Sequence, residues 1–265
     1  MSKFIRPDFN IKRLAENSFR AIDEGAYECE QASAHDPLSI KKAILSYPHA
    51  PLIAEVKFAS PSRGKIRGGS APAQLATAMI KSGAVALSIL TQPYVFDGSI
   101  EYLAAVRKAV AAPLLMKDII VSRVQIDAAK KSGADCVLLI KTIFDRDLAE
   151  ESLENLTEYA TKRALNVIIE VHTDDEFAQA LKSKHGLIGI NNRNLDNLQV
   201  DISNTERLLS KHGKGKSTII SESGIATPED IRYLHKAGAD AFLVGTSIME
   251  TADISAKVRE LCDAI

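Results

Sequence analysis

The chain has 265 residues, of which 46% are hydrophobic and 25% are charged, a composition typical of folded proteins rather than disordered ones. Its 33 Lys and Arg residues are balanced by 34 Asp and Glu residues, so the totals lack the basic excess of a nucleic-acid-binding protein. Trp is absent and only 5% of the residues are aromatic, which favours an α/β core of Ile, Leu and Val over an aromatic-rich β-sandwich.

The first 50 residues precede the first predicted strand. Ile11, Leu14, Ala15, Phe19 and Ile22 recur at helical spacing, which predicts an amphipathic helix packed against the rest of the fold. A second short helix is predicted at residues 37–45. These residues form an N-terminal helical extension.

Eight short apolar segments without strict alternation follow, as expected for strands buried on both faces. They lie at residues 52–57, 84–90, 114–117, 136–140, 167–171, 187–191, 218–221 and 241–244. Helical stretches separate them, for instance at residues 71–82, 122–132, 145–163, 174–184 and 228–237. Thr227 before Pro228 is a typical helix start.

An internal repeat supports this alternation. The segments that begin at Lys81, Lys131 and Lys236 each place a basic residue at a helix end, then Gly, then an apolar run, as at a helix C-cap before a strand. Their offsets of 50 and 105 residues fit a unit of about 26 residues, and eight such units give the size of a (β/α)8 barrel. A doubly wound open sheet has the same alternation, so the count of eight favours closure.

We therefore predict one domain over residues 1–265, a (β/α)8 TIM barrel at 51–265 behind the extension at 1–50. Two roles for the extension stay open. It either plugs the bottom of the barrel or forms a lid near its mouth.

Charged side chains stand at the predicted strand ends, where barrel enzymes carry their active sites. Glu55 and Lys57 lie two residues apart and face the same side. Later strand ends add Lys117, Glu170, Asn191 with Arg193, and Glu222. A surface salt bridge explains any one of these, but two Lys and three Glu at one rim favour a site with shifted pKa values. His172 shows no evident partner and is interpreted as an ordinary loop residue.

Two turns rich in Gly and hydroxyl residues follow strands seven and eight. They contain Ser223 and Gly224 in the first and Gly245 and Thr246 in the second. Backbone N–H groups beside Gly can approach an anion, and barrels often bind phosphate at these two loops. The loop after strand one is either a mobile cover or a solvated charged segment, and it contains Ser60, Arg63, Lys65 and Arg67.

The N-terminal sequence MSKFIRPDFN is charged, and we predict neither a signal peptide nor a membrane span. Cys29, Cys136 and Cys262 are widely spaced, without a Cys-x-x-Cys pair, which fits neither a zinc site nor a disulfide framework. We expect a cytoplasmic protein with unpaired thiols.

Taken in chain order, these strand ends resemble indole-3-glycerol-phosphate synthase over about 200 residues. The matching motifs are Glu55-Val-Lys57 with Ser60-Pro-Ser, Met116-Lys-Asp118, Glu170-Val-His172, Gly189-Ile-Asn-Asn-Arg193, Ser221-Glu-Ser-Gly-Ile225 and Val244-Gly-Thr-Ser-Ile-Met249. The resemblance implies a carboxy-lyase of tryptophan biosynthesis that uses no metal or organic cofactor. Its substrate is 1-(2-carboxyphenylamino)-1-deoxyribulose 5-phosphate, which loses CO2 and water to give indole-3-glycerol phosphate.

The resemblance also implies roles for the strand-end residues. Lys117 would be the general acid of ring closure, with Glu170 beside it in proton transfer. Lys57 and Glu55 would form a second acid–base pair for dehydration. The remaining groups would orient the substrate hydroxyls or contact its carboxylate and the loop, and they are Asn191, Glu222, Arg193 and Ser60. The expected partner is a small phosphorylated substrate, with no nucleic acid or membrane. The expected state is a monomer that can associate with other enzymes of the tryptophan pathway.

Three positions depart from the family pattern. Ile119 stands where the family has a Phe against the anthranilate ring, so aliphatic packing replaces stacking. Asn194 replaces an Asp beside Arg193, and Phe58 replaces a Lys on the face away from the site.

Two other functions are weighed against this one. An isomerase similar to phosphoribosylanthranilate isomerase would need a Cys where Glu55 and Lys57 stand. A catalytically inactive phosphate-binding barrel would be favoured by the loss of Lys117 or Glu170, and both are present.

Overall fold

Eight parallel strands alternate with helices and close into a barrel in the computed structural model, which describes residues 10–29, 35–60, 64–68, 71–183 and 186–265. The strands are β1 Leu52–Val56, β2 Ala86–Leu90, β3 Leu114–Lys117, β4 Cys136–Ile140, β5 Asn166–Val171, β6 Leu187–Asn191, β7 Thr218–Glu222 and β8 Ala241–Val244. Strand β1 pairs with β2 and with β8, and Ala54 lies opposite both Leu87 and Val244. The predicted (β/α)8 fold is confirmed.

Thirteen helices lie within the described ranges. They are α1 Ile11–Asp23, α2 Ile40–Ser46, α3 Pro72–Lys81, α4 Pro93–Phe96, α5 Ile100–Ala109, α6 Arg123–Ser132, α7 Lys141–Asp145, α8 Leu153–Lys162, α9 Asp174–Ala180, α10 Ser203–His212, α11 Pro228–Ala237, α12 Thr246–Met249 and α13 Ile254–Cys262. None of them is both long and apolar enough to cross a membrane. A two-stranded ribbon, Ala59–Ser60 with Gly64–Lys65, follows β1.

The repeat predicted from the sequence corresponds to real helix ends. Gly83, Gly133 and Gly238 have φ values of 111°, 91° and 111°, a left-handed conformation that Gly adopts at little cost. Thr227 caps α11 as predicted, because its side chain accepts a hydrogen bond from Asp230 N.

Two helix predictions were wrong in extent. Of the helix predicted at 145–163, only Leu153–Lys162 forms a helix, α8. Residue 145 ends α7, which begins at Lys141, and the turn between the two helices contains Asp147 with a φ of 54°. No continuous helix accommodates that left-handed residue. The helix predicted at 174–184 already ends at Ala180.

The extension serves both ends of the barrel. Ile11 and Leu14 of α1 pack on the apolar barrel interior, and Leu14 lines the cavity at the carboxyl ends of the strands. Ahead of α2, Leu38 N donates to Asp135 Oδ1 at 2.7 Å, just before β4 and therefore at the amino ends. Helix α1 thus covers the mouth, and α2 closes the bottom.

Candidate active site

A cavity of about 390 Å³ opens at the carboxyl ends of the barrel strands. All thirteen site residues predicted from the sequence line it: Glu55, Lys57, Ser60, Lys117, Ile119, Glu170, Asn191, Arg193, Glu222, Ser223, Gly224, Gly245 and Thr246. The parallel register brings them together, because residues that end neighbouring strands reach the same rim.

Lys117 lines this cavity and lies close to two carboxyl groups. Its Nζ is 2.7 Å from Glu170 Oε2 and 3.2 Å from Glu222 Oε2. Burial alone disfavours the ammonium, but the charges of Glu170, Glu222 and Glu55 outweigh it and raise the pKa of Lys117. Asn191 Nδ2 donates to the other Glu170 oxygen at 2.9 Å, so Glu170 is held from two sides.

The buried carboxyl group of Glu222 has fewer hydrogen-bond partners than that of Glu170. Lys117 lies at ion-pair distance but out of hydrogen-bonding alignment, and neither Glu222 oxygen has a hydrogen-bond partner among the described residues. Burial raises its pKa to about 8, against the opposing charge of Lys117 and with the repulsion of Glu170. Burial therefore favours the neutral form of Glu222, and in that form its carboxyl group can donate a hydrogen bond to a ligand.

Gly189 in β6 makes room for this carboxyl group, a role that the sequence analysis missed. A Cβ at this position would overlap Glu222 Oε1 and lie 3.2 Å from Glu222 Cδ. A Gly inside a strand is a known sign of close approach by another group, but only the register identifies that group as Glu222.

The second pair, Lys57 and Glu55, lies on β1 and just beyond it. Lys57 Nζ is 2.8 Å from Glu55 Oε1, and Ser88 Oγ is 3.3 Å from Glu55 Oε2. Although burial alone would raise it, the charges of Lys57 and Lys117 bring the pKa of Glu55 below its ordinary value. A Cβ on Gly245 would lie 2.5 Å from Glu55 Oε1 and 3.1 Å from Lys57 Nζ, so the turn after β8 packs directly on this pair.

The two predicted phosphate turns are adjacent. Ser247 Oγ, after β8, donates to the carbonyl of Ile225, after β7, at 3.0 Å. Ser223 and Gly224 both have left-handed backbones, with φ values of 70° and 86°. These turns lie beside Lys57 at one part of the cavity, and backbone N–H groups together with an ammonium group are a combination that can bind an anion.

Apolar side chains form another part of the cavity wall. They are Leu14, Leu90, Phe96, Ile119, Ile140, Leu195, Leu198 and Val200. Of these residues, only Ile119 was predicted from the sequence to lie in the site. The cavity therefore combines an apolar wall with charged groups and suits a ligand that has both an apolar part and an anionic group.

The structure changes the interpretation of three further residues, His172, Arg193 and Arg67. His172 has a partner, since its Nδ1 is 2.8 Å from the carbonyl oxygen of Asn191. Arg193 lines the cavity, but its Nη1 also donates to the Leu198 carbonyl at 3.0 Å. Arg67 is not a solvated charge, because its Nε donates to the Met249 carbonyl at 3.1 Å. Arg63 lies outside the described residues.

A buried polar network behind Lys117 was also missed. Tyr27 Oη lies 3.0 Å from each oxygen of Asp118, and Gln125 Nε2 donates to Tyr27 Oη at 3.1 Å. Burial raises the pKa of Asp118 to about 6, although hydrogen bonds from Thr91 and Tyr27 oppose the rise. The network joins the extension to the strand end that carries Lys117.

The described residues contain no cluster of three or more His, Cys, Asp or Glu side chains that could hold a metal ion. All three cysteines are described and buried, and none forms a disulfide. Lys117 with Glu170 and Glu222, and Lys57 with Glu55, form two lysine–carboxylate groups that can perform acid–base chemistry beside the apolar cavity wall.

Comparison with known proteins gives a consistent answer. The family described as indole-3-glycerol phosphate synthase matches residues 12–261. The chain is 40% identical over 257 residues to the protein of that name from Campylobacter curvus, covering 95% of this chain and 97% of the other. It is 37% identical over 249 residues to that from Acetivibrio thermocellus, covering 94% of each. A thiamine phosphate pyrophosphorylase from Pyrococcus furiosus shares the fold, with a TM-score of 0.59, 16% identity, and coverage of 81% of this chain and 95% of the other.

Proposed function

The chain belongs to the indole-3-glycerol phosphate synthase family, and we propose that the cavity at its barrel mouth performs the reaction through the two lysine–carboxylate groups. The protein is a carboxy-lyase of tryptophan biosynthesis. It converts 1-(2-carboxyphenylamino)-1-deoxyribulose 5-phosphate to indole-3-glycerol phosphate, with loss of CO2 and water.

The position of one ammonium group carries this proposal. Lys117 Nζ lies within 3.2 Å of Glu222 and 2.7 Å of Glu170, in a cavity that opens to a ligand. Because the carboxylates keep Lys117 protonated, it is a proton donor at neutral pH. A donor held in place by two partners delivers its proton without first reorganising, which is how a positioned acid accelerates a reaction.

We assign ring closure to Lys117 and Glu170. The ring carbon that bears the carboxylate attacks the ribulose carbonyl carbon, while Lys117 transfers a proton to the carbonyl oxygen. Positive charge develops on the aniline nitrogen and its ring, and the negative charge of Glu170 stabilises it. CO2 then leaves without its bonding electrons, which remain in the ring and restore its aromaticity.

Dehydration is assigned to Lys57 and Glu55. The new hydroxyl group leaves as water after it receives a proton from the acid of this pair. The base removes a proton from the neighbouring methylene carbon, and the indole double bond forms. The distance of 2.8 Å between Lys57 Nζ and Glu55 Oε1 allows the proton to be exchanged within the pair.

Substrate binding is assigned to the remaining lining residues. The phosphate group would meet Ser223, Gly224, Gly245 and Thr246 beside Lys57, and the anthranilate ring would lie against the apolar wall that includes Ile119. Asn191 and protonated Glu222 would orient the substrate hydroxyls. Arg193 and Ser60 would contact the substrate carboxylate and the loop after β1.

The reaction is tested by mixing the purified protein with the substrate and following indole fluorescence. We expect fluorescence to rise without added metal or cofactor. Folded protein that gives no signal at several pH values would contradict the proposed function. Isomerisation of phosphoribosylanthranilate without indole formation would support the isomerase instead, and phosphate binding without turnover would support an inactive barrel.

We also propose that residues 1–265 act as a single-domain monomer in the cytoplasm, able to associate with other enzymes of the tryptophan pathway. In support, the exposed large apolar side chains among the described residues are few and scattered. They are Leu38, Leu45, Val124, Val200 and Ile265. Size-exclusion chromatography with light scattering would give a dimer mass if this proposal is wrong.

A further inference from the structure

The turn after β7 contains a strained residue. Ser223 has a φ of 70°, in the left-handed region that residues with a Cβ rarely occupy, and Gly224 follows with a φ of 86°. Gly224 reaches this conformation freely, but Ser223 needs support from its surroundings. Both residues line the barrel-mouth cavity, so the shape of this turn is part of the site.

Asn192 supplies that support from behind. Its side-chain Nδ2 donates to the Ser223 carbonyl and to Ser221 Oγ, both at 3.1 Å. Its backbone N–H donates to the Glu222 carbonyl at 2.8 Å. One fully buried residue therefore bonds to three consecutive residues at the end of β7.

The Asn192 side chain is itself fixed. Its Oδ1 accepts hydrogen bonds from Thr205 Oγ1 at 2.8 Å and from Thr205 N at 3.2 Å, at the start of α10. Thr205 Oγ1 also lies 2.8 Å from Ser221 Oγ. All polar atoms of this side chain have partners, so it cannot turn away from Ser223 without leaving buried groups unsatisfied.

We propose that Asn192 is a positioning residue for the phosphate group of the substrate, because it holds Ser223 in the left-handed conformation that shapes the turn. The inference rests on the proposed function, in which this turn binds that phosphate. Asn192 does not line the cavity, so it acts through Ser223 and has no contact with the reacting atoms.

The test is a double-mutant cycle of Asn192→Ala with Ser223→Gly. Gly adopts the left-handed conformation without help, so Asn192 should matter only when position 223 carries a Cβ. With Ser at 223, we expect N192A to raise KM and the Kd for inorganic phosphate by about tenfold or more, while kcat changes less than about threefold. With Gly at 223, N192A should raise both constants by less than about threefold.

Asn192→Asp provides a second variant of nearly equal volume for the case that N192A does not fold. An ionised Asp offers no donor to Ser223 or Ser221, so it should repeat the rise in KM. Asn204→Ala is the matched control, since Asn204 is equally buried but donates to the carbonyls of His172 and Asn191. It should lower stability and leave the phosphate Kd unchanged.

The outcomes separate the two claims. A wild-type protein that turns over the substrate without binding inorganic phosphate competitively contradicts phosphate binding by this turn. Two results overturn the positioning role if the wild-type protein binds phosphate. One is that N192A raises KM and the phosphate Kd equally with Ser and with Gly at position 223. The other is that N192A changes kcat alone.

Discussion

A methyl group at position 189 is expected to dislodge the carboxyl group of Glu222. The Cβ of an Ala there would overlap Glu222 Oε1 and lie 3.2 Å from both Glu222 Cδ and Ile168 Cγ2. The strand backbone is held in the barrel, so the carboxyl group must move by roughly 1 Å, enough to lower kcat/KM on the order of 100-fold. The crowding should also lower the free energy of unfolding by about 1–3 kcal/mol.

Indole fluorescence gives kcat/KM of Gly189→Ala, and urea unfolding gives its stability. The control is the double variant Gly189→Ala with Glu222→Asp, because Asp is one methylene shorter and vacates the crowded volume. We expect the double variant to regain most of the stability that Gly189→Ala loses, but not its activity. Wild-type kcat/KM in Gly189→Ala, or no recovery of stability in the double variant, would refute the steric argument.

Two further predictions concern buried titratable groups. Burial raises the pKa of Glu222 from 4.5 to about 8. Between these pH values the folded protein keeps a proton that the unfolded chain releases, so the contribution of Glu222 to the free energy of unfolding falls as pH rises. Glu222→Gln should remove up to ~1.4 kcal/mol per pH unit of that decline. Urea unfolding between pH 5 and 8 measures it, and a free energy of unfolding that falls with pH as steeply in the variant as in the wild type would count against this prediction. Tyr27→Phe removes the hydroxyl that bonds to buried Asp118 and should lower the free energy of unfolding by about 1–3 kcal/mol, whereas an unchanged melting temperature would show that the network contributes little.

The barrel and its rim were predictable because they depend on local patterns. Apolar runs without alternation located all eight strands, and a Gly after each repeated helix located the turns. A charged residue is costly within a buried strand, so Glu170 and Lys117 indicated strand ends that face a site. The parallel register then brought these ends together without further information.

The parts that sequence reasoning missed depend on contacts between distant residues. Tyr27 and Asp118 are 91 positions apart, and no periodicity connects them. Gly189 is explained only by the side chain of Glu222 on the neighbouring strand. The break between α7 and α8 depends on the left-handed Asp147, for which a non-Gly sequence gives no clear signal.

We propose that Lys117, held between Glu170 and Glu222, is the proton donor of ring closure. Its most direct test is the turnover number of Lys117→Ala, measured by indole fluorescence alongside the Kd for inorganic phosphate. We expect turnover to fall by about 10²–10⁴-fold while the phosphate Kd stays within about threefold of wild type. Turnover within about tenfold of wild type in a variant that still binds phosphate would contradict it.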